Sequence, residues 1–517
     1  MANKYDVAII GGGMAGLISG LYLQKMGKRS IILEHGNQVG GNMSGIWREG
    51  FYFDCGDQSF ESFGIMFPIL KDLGLYNPDE WLQIRWRFVT KDCDIPLNTY
   101  EQVRSDFKKF YPGSAAQIDE WFDYLLGLCG WYPRFVKHHS NLMTRGALTK
   151  PLSGMSLMFA IIQKISRIID FAKTSASDLA ERIFKDEPRL RFLFGDYGYP
   201  NMPLLISSIF WYTFIYDYNY PKAGLQGYMN MLADAYKARG GQIRLKSTVD
   251  KVKNVGKIVK GVETSKGEYI EADYVINTGN PKRLVTEMLE DPTVWDFKDR
   301  QDIIKGELTL GNATAYLGID MSAEELKPLL KDHHTTYWRS YETVTDRYDP
   351  DLHRKGWSMI SATSLFAPEL APKGKSSIVI QVYIPYGWMN DWGTYTSDPF
   401  ARTAEYKKLK ERVLNDIIKD TEYIIPGLSK KIIYKELATP RSLARWTLNA
   451  EGNSMGWSLD NYSSHMAKRL MRMKTPLKNL FNAGHYAIWP GGVISAALTG
   501  RYAARGIYMG FMMQHIK

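Results

Sequence analysis

Three cysteines in 517 residues, Cys55, Cys93 and Cys129, leave little scope for covalent cross-links. They are far apart and lack metal-ligand spacing, which excludes a disulfide scaffold and a cysteine metal site and fits a reducing compartment. Histidine is also scarce. His138–His139 and His333–His334 are adjacent pairs, and no His-x-x-x-His falls on a helical face. No metal is expected, and these four read as surface residues. Low-complexity tracts and internal repeats are absent. No short segment concentrates Lys and Arg among aromatics, so the net charge of +10 does not point to nucleic acid. A solvated basic surface and attraction to anionic lipid headgroups both remain open. No charged leader with an apolar segment and cleavage site precedes the first strand, so no secretory signal is expected. Together these absences give a cytoplasmic expectation, with peripheral membrane attachment left open.

What is present is ordinary globular material. Hydrophobic residues make up 45% and charged residues 23% of the chain, enough apolar mass for two or three structural units.

The strongest signal is DVAIIGGGMAGLISGLYLQKMGKRSIILE, Asp6 to Glu34. Val7–Ile10 predicts a buried strand, Leu17–Met26 a helix ended by Gly27, and Ser30–Leu33 a second strand. Between strand and helix, Gly11, Gly13 and Gly16 form G-x-G-x-x-G. Gly11 permits the tight turn, Gly13 lets backbone approach a pyrophosphate, and Gly16 lets the helix pack on the strand. The helix N-terminus offers free N–H groups and positive dipole charge to the phosphates. Glu34 is placed to accept hydrogen bonds from a ribose. Strand, glycines, helix, strand and acid in register predict dinucleotide binding.

Past Glu34 come the glycine pair Gly40–Gly41 and then Gly50, Phe53, Asp54 and Gly56, as G-x-x-F-D-x-G. With these residues the chain resembles the FAD-dependent amine oxidase and phytoene desaturase superfamily. The resemblance implies FAD, held by a Rossmann-type, glutathione-reductase-like α/β domain that is discontinuous and paired with a mixed α+β substrate domain. There is no second G-x-G-x-x-G for a nicotinamide cofactor. The segment Tyr220–Pro281 is similar to the family's middle FAD segment: a helix over Met229–Arg239, the pair Gly240–Gly241, and strands near Gln242–Leu245, Val249–Lys253, Val259–Thr264 and Tyr274–Asn277. Leu480–Arg505 is similar to the strand, loop and helix N-terminus that cradle the flavin.

The cofactor contacts this implies are Gly11, Gly13, Met14, Ala15 and Gly16 in the first turn, and Glu34 and His35 after the second strand. Gly41, Asn42, Gly56, Asp57 and Gln58 follow. Val249 is implied at the adenine, and Gly484, Gly491, Gly492 and Val493 at the ring. Two departures stand out. Asn42 occupies the place where the family commonly has Arg, so either Asn42 bonds there without charge or a neighbour such as Arg48 supplies it. In the family's Y-P-x-G-G loop, Ala223 replaces the first glycine.

Two further stretches resemble the carotenoid isomerase, phytoene desaturase and retinol saturase branch: Ala438–Trp457, with Thr439, Pro440, Arg445, Gly452 and Gly456, and Phe366–Tyr386, with Ala371, Pro372, Gly374 and Lys375. This implies a FAD-dependent oxidoreductase acting on carbon–carbon bonds of a long polyunsaturated isoprenoid or lipid, by desaturation, saturation or cis–trans isomerisation, with an unidentified redox partner. A flavin amine oxidase and a non-catalytic prenyl-binding escort protein are the alternatives. Lys222, Gln226, Trp457, Tyr486 and Trp489 lie in segments expected to reach flavin or substrate. Gly452–Gly456 also fits the G-x-S-x-G of serine hydrolases, with Asp460 and His485 after it. That motif needs a strand before Ser454, and the residues there read as loop.

The FAD domain is expected from residues 1–90, 220–300 and 440–517, and the substrate domain from 91–219 and 301–439. That arrangement decides how MPLLISSIFWYTFIY, Met202–Tyr216, should be read. It is the end of an uncharged run nearly as long as a membrane span. A span there would thread a bilayer between two halves of one folded unit, and Pro200, Asn201 and Pro203 would be costly in lipid. A buried helix is expected instead, either plain core or also lining a long apolar cavity. Pro151–Lys173 is richer in Met and Ile, with Lys164, Arg167 and Lys173 interspersed. It reads either as an amphipathic helix lying on a membrane or as an ordinary core-facing helix.

Overall fold

The computed structural model describes residues 4–144, 150–196, 201–309, 311–342, 346, 348–459, 473–488 and 491–514. Its first sheet has a parallel core in the order Gln242–Arg244, Ser30–Leu33, Tyr5–Ile10, Tyr269–Asn277 and Leu480–Asn482. Two antiparallel strands, Ile258–Thr264 and Val249–Val255, extend it beyond Tyr269–Asn277. Tyr5–Ile10, Ser30–Leu33 and the end of Tyr269–Asn277 are apolar runs buried on both faces, as parallel strands under helices require, while the edge strand Gln242–Arg244 is partly exposed. Ile10 pairs with Leu33 and Asn277, and Asn277 with Asn482. The residues that follow, Gly11, Glu34, Thr278 and Ala483, therefore leave the sheet along one edge. In open α/β sheets, ligands bind at that carboxyl edge.

The predicted helix forms over Met14–Lys25, three residues earlier than its periodicity indicated, because Gly13 already serves as its N-cap. The C-terminal helix, Gly492–Gln514, crosses it closely. A side chain on Gly500 would sit 2.5 Å from the Ala15 carbonyl oxygen.

The second sheet runs in the order Ile432–Ala438, Asn312–Ile319, Ser376–Tyr383, Trp357–Ser361, His334–Trp338, Trp86–Val89 and Asp94–Pro96. It is antiparallel apart from the His334–Trp338 and Trp86–Val89 pair. Trp86–Val89 belongs here, so the chain crosses into the second sheet before residue 90. One face carries Ala315, Leu317, Ile378, Ile380 and Val382, which pack on Val413 and Ile417 of the helix Ala404–Thr421. The alternate residues face the other way. Thr314 pairs with Gln381, Gln381 with Met359, and Met359 with Thr336, giving one row across the sheet. This row is a cavity floor.

The helix Leu204–Tyr216 covers that floor. Its Phe210 and Phe214, four residues apart on one face, point into the cavity, while Trp211 packs on Phe122 and Phe194 in the helical layer behind. The run is thus both core and cavity wall. No single described helix is long and apolar enough to cross a membrane.

Candidate functional site

Three connected cavities run from the carboxyl edge of the first sheet to the face of the second. The first, about 460 Å³ counting its mouth, lies between Glu34, His35, Thr248, Val249 and Leu448. It shares Gly11, Glu34, Gly279 and Thr447 with a middle cavity of about 740 Å³, its opening included. The middle one shares Asn42, Asp57, Ser454, Gly492 and Val493 with a third of about 1180 Å³, counting its mouth.

The middle cavity is built from glycines and helix ends. Gly13, with φ −76° and ψ −171°, caps the Met14–Lys25 helix without a side-chain bond, and no acid lies in that helix's first turn. Its first N–H groups are thus available to a ligand. The hypothetical side chains of Gly13 and Gly492 have no atom closer than 3.9 and 4.0 Å, and that of Gly41 none closer than 3.5 Å. All three face the cavity with room left for a ligand. Gly16 and Gly491 do a different job. A Cβ on Gly16 would meet the Gly11 carbonyl at 2.0 Å, and one on Gly491 the Met455 carbonyl at 1.9 Å. They make packing close rather than lining the space.

Glu34 is buried, and both its oxygens accept backbone bonds at 2.6 Å, Oε2 from Gly12 N–H and Oε1 from Gly36 N–H. It shapes the loop as well as facing the cavity. Glu34→Gln would turn an amide NH₂ onto one of these donors. A stability loss of about 1–3 kcal/mol is expected, with weaker flavin binding, read by thermal melting and flavin fluorescence titration. His35 bonds Thr248 Oγ1 through Nδ1 at 2.7 Å, anchoring the adenine-sized end.

The departure at Asn42 has a structural answer. Asn42 donates to the Ser454 carbonyl at 3.1 Å and accepts from Asn449 Nδ2 at 3.1 Å, tying the two chain ends together over the cavity. Arg48 turns away to Glu436 and the Trp47 carbonyl. No Lys or Arg is among the described residues lining the middle cavity. A diphosphate there meets helix N-termini and backbone, not cations.

The third cavity is aromatic and apolar: Trp86, Phe210, Phe214, Trp338, Trp357 and Met359 are in its walls. Into it project Asp57 and Glu61, half-buried and shielded from bulk water. Burial pushes the Asp57 carboxyl up to about 8, reinforced by the charges of Glu61 and Asp54. Burial likewise pushes Glu61 up to about 7, against a bond from Tyr218. His334 also lines this cavity. It is bound by Ser59 at Nε2 (2.6 Å) and Ser361 at Nδ1 (2.9 Å), and its ring stacks on Trp86. Burial holds it neutral.

These positions correct several expectations. His333 and His334 are fully buried, because the strand His334–Trp338 lies inside the second sheet. Lys222 is exposed on the turn after Tyr218–Pro221. Gln226 lies in the core, its amide spent on Val39, Asn230, Gln38 and Gly45. Trp457 donates to the Tyr486 carbonyl and packs edge-on against its ring in a buried cluster. None of these four lines the three cavities. Trp489 lies outside the described residues, as does Asp460. Ser454 follows the short turn Ala450–Gly452 and Asn453, with no strand before it, so the hydrolase elbow is not built.

Of the implied cofactor residues, Gly11, Gly13, Met14, Ala15, Glu34, Gly41, Asn42, Asp57, Gly484, Gly492 and Val493 come together around the middle cavity. His35 and Val249 lie at the first, and Gly56 and Gln58 at the third. The Gln58 carbonyl oxygen is buried there without a protein partner. Sequence reading missed Thr278, Thr447 and Asn449 in the middle cavity and Glu61 and His334 in the third. Two acids four residues apart in the polar stretch after Gly56 were the available signal for Glu61.

Comparison with known proteins agrees with this geometry. A family profile described as flavin containing amine oxidoreductase matches residues 14–508. The all-trans-retinol 13,14-reductase of Danio rerio is 22% identical, over 96% of this chain and 85% of that protein. The 4,4'-diapolycopene oxygenase of a Methylomonas species is 22% identical, over 96% and 97%. Among solved structures, putrescine oxidase bound to putrescine shares the fold at 15% identity and a TM-score of 0.61, over 98% of this chain and 100% of that one.

Proposed function

Since the chain belongs to the flavin-containing amine oxidoreductase family, we propose that it is an FAD-dependent oxidoreductase of carbon–carbon bonds in a long, apolar, polyunsaturated lipid or isoprenoid. Its cofactor is FAD, and the residues present fit it: glycines with space before them, uncapped helix ends, and an unpartnered Gln58 oxygen. In this reading the turn Gly11–Ala15 holds the diphosphate, Glu34 a ribose, Val249 the adenine, and Gly484, Gly492 and Val493 the flavin ring. When bound, FAD supplies two-electron exchange with the substrate.

The observation that carries the proposal is the aromatic cavity opening directly from the cofactor cradle. Its walls take up apolar surface and exclude water, worth about 25 cal/mol per Å² of apolar surface buried. Binding along the cavity fixes which bond lies next to the flavin. Asp57 sits at the junction of cradle and cavity and Glu61 further into the cavity, both placed to exchange a proton with substrate carbon. Adding or removing two hydrogens across a double bond requires such a proton route. Isomerisation can take a proton and return it. The names of the retinol and diapolycopene relatives support this substrate class.

A second reading, oxidation of an amine, rests on the same two carboxyls, which as anions would attract a cationic substrate. Anaerobic mixing separates them. With a C20–C40 polyene panel in detergent, the photoreduced enzyme is expected to regain its flavin band if it saturates a double bond and to change polyene geometry without reoxidation if it isomerises one, while the oxidised enzyme is expected to bleach if it desaturates. Bleaching of the oxidised flavin by amines, with peroxide formed once air is admitted and no response to any polyene, would sink the lipid reading.

A further inference from the structure

The segment Pro151–Lys173 was open between a membrane-lying and a core-facing helix. It forms two helices, Lys150–Ile162 and Ile165–Lys173, bent by 59° at their junction. Their polarity is inverted relative to a core-facing helix. The inward positions of the first helix are small or few: Ser153, Leu157 and Ala160. The outward ones are large and apolar. Leu152, Met155, Met158, Phe159 and Ile162 are each 56–66% exposed, and Ile165 and Ile169 on the second helix are 45% and 46% exposed. A contiguous patch of this kind is rare on a soluble monomer and marks an interaction surface.

We propose that this helix pair docks the enzyme onto the surface of an anionic lipid bilayer. Charge argues for that occupant. Arg167 and Lys173 lie on the second helix and Lys164 caps its start, its Nζ reaching the Gly127 carbonyl at 3.3 Å; Asp170 is the one acid on the pair, engaged by Tyr124 and Arg167. Basic groups beside an apolar face are the pattern that anionic headgroups recognise. Geometry argues for docking rather than spanning. Thirteen residues rise about 20 Å, short of the ~30 Å hydrocarbon layer, and the bend turns the second helix away from the first.

The patch also sits next to the cavity wall. Leu204 N–H bonds the Thr174 carbonyl at 2.8 Å, and Ala176 N–H bonds the Met202 carbonyl at 2.9 Å. These bonds fasten the end of the docking pair to the start of Leu204–Tyr216, whose Phe210 and Phe214 line the apolar cavity. Passage of substrate from bilayer to cavity rests on the proposed substrate class. Docking itself does not, and its test uses no substrate.

The test is co-sedimentation of the full FAD-loaded chain with phosphatidylcholine vesicles, with and without phosphatidylglycerol. Wild type is expected to sediment with the anionic vesicles, and 0.5 M salt is expected to weaken that binding several-fold. Met158→Glu with Phe159→Glu is expected to lower partitioning at least about tenfold, with flavin absorbance and melting unchanged because both positions face outward. Arg167→Gln with Lys173→Gln is expected to weaken binding only to the anionic vesicles. No vesicle binding, or binding unchanged by the glutamates, would overturn the proposal. So would a wild-type dimer that the glutamates convert to monomer, since a second copy would then cover the patch.

Discussion

Gly13→Ala is expected to yield a folded but colourless protein, and Gly16→Ala a yellow but poorly stable one. The two glycines belong to one motif and differ in what stands in front of them. Gly13 has φ −76°, a conformation any residue adopts, and its Cβ would find nothing nearer than the Gly40 carbonyl at 3.9 Å. The fold therefore tolerates alanine there. The new methyl projects into the space where the helix N-terminus meets the diphosphate, and a phosphate held by backbone cannot move back without losing its bonds. FAD affinity should fall at least about a hundredfold, roughly 3 kcal/mol. Gly16 faces protein instead. Its Cβ would lie 2.0 Å from the Gly11 carbonyl oxygen and 3.6 Å from Ile9 Cγ2. The Met14–Lys25 helix would have to lift off the strand Tyr5–Ile10, at about 1–3 kcal/mol for overpacking, and more if the crossing with Gly492–Gln514 is disturbed. Flavin absorbance per chain and thermal melting, measured on both variants, check this. A yellow Gly13→Ala protein with native affinity would remove the diphosphate from this turn, and a native melt for Gly16→Ala would remove the packing argument.

The contrast also shows what was legible in the sequence. The strand–turn–helix around Gly11–Gly16 was legible because its signals are local, and Glu34 stands directly after the second strand. Backbone geometry at a glycine turn and a four-residue apolar strand leave few alternatives. Val249, Gly484 and Gly492 could be placed only by resemblance, since nothing local says that they meet residues hundreds of positions away. The third cavity was legible only as a guess about Met202–Tyr216. Its floor comes from alternate residues of strands that pair across the chain, such as Thr314 with Gln381 and Gln381 with Met359, and no single segment announces that pairing. The described residues expected to reach flavin or substrate lie away from the cavities for a related reason. Gln226, Trp457 and Tyr486 lie close in sequence to the cofactor segments but point into the cores that support them. His334 was misread as surface because an adjacent histidine pair has no apolar period, and only the sheet register shows that its strand is internal.

Asp57 and Glu61 give the other large effect, and the sign of its pH dependence tells a pair that donates protons from one that acts ionised. Both carboxyls are raised chiefly by burial, to about 8 and about 7, and Glu61 is itself one of the charges that raise Asp57. They titrate as a pair. A raised acid binds its proton more tightly folded than unfolded. The stability it contributes is therefore full in acid and declines as pH rises through about 7–8. If the pair donates protons to a polyene, the active form is the protonated one, and kcat should be high near pH 6 and fall above pH 8. If it takes a proton from the substrate in desaturation, or receives a cationic amine, the active form is ionised, and kcat/KM should rise over the same interval. Asp57→Asn and Glu61→Gln are each expected to cost about 10²–10⁴ in kcat as lost proton donors, while flavin absorbance is retained. Glu61→Gln adds an internal check: without that neighbouring charge, the break in the rate profile left by Asp57 should move to lower pH. A rate profile that falls with pH in wild type and loses that fall in the double variant would identify the pair as the proton source. A profile flat from pH 6 to 9, with both variants fully active on polyenes, would leave the carboxyls as wall residues and return the proton route to solvent.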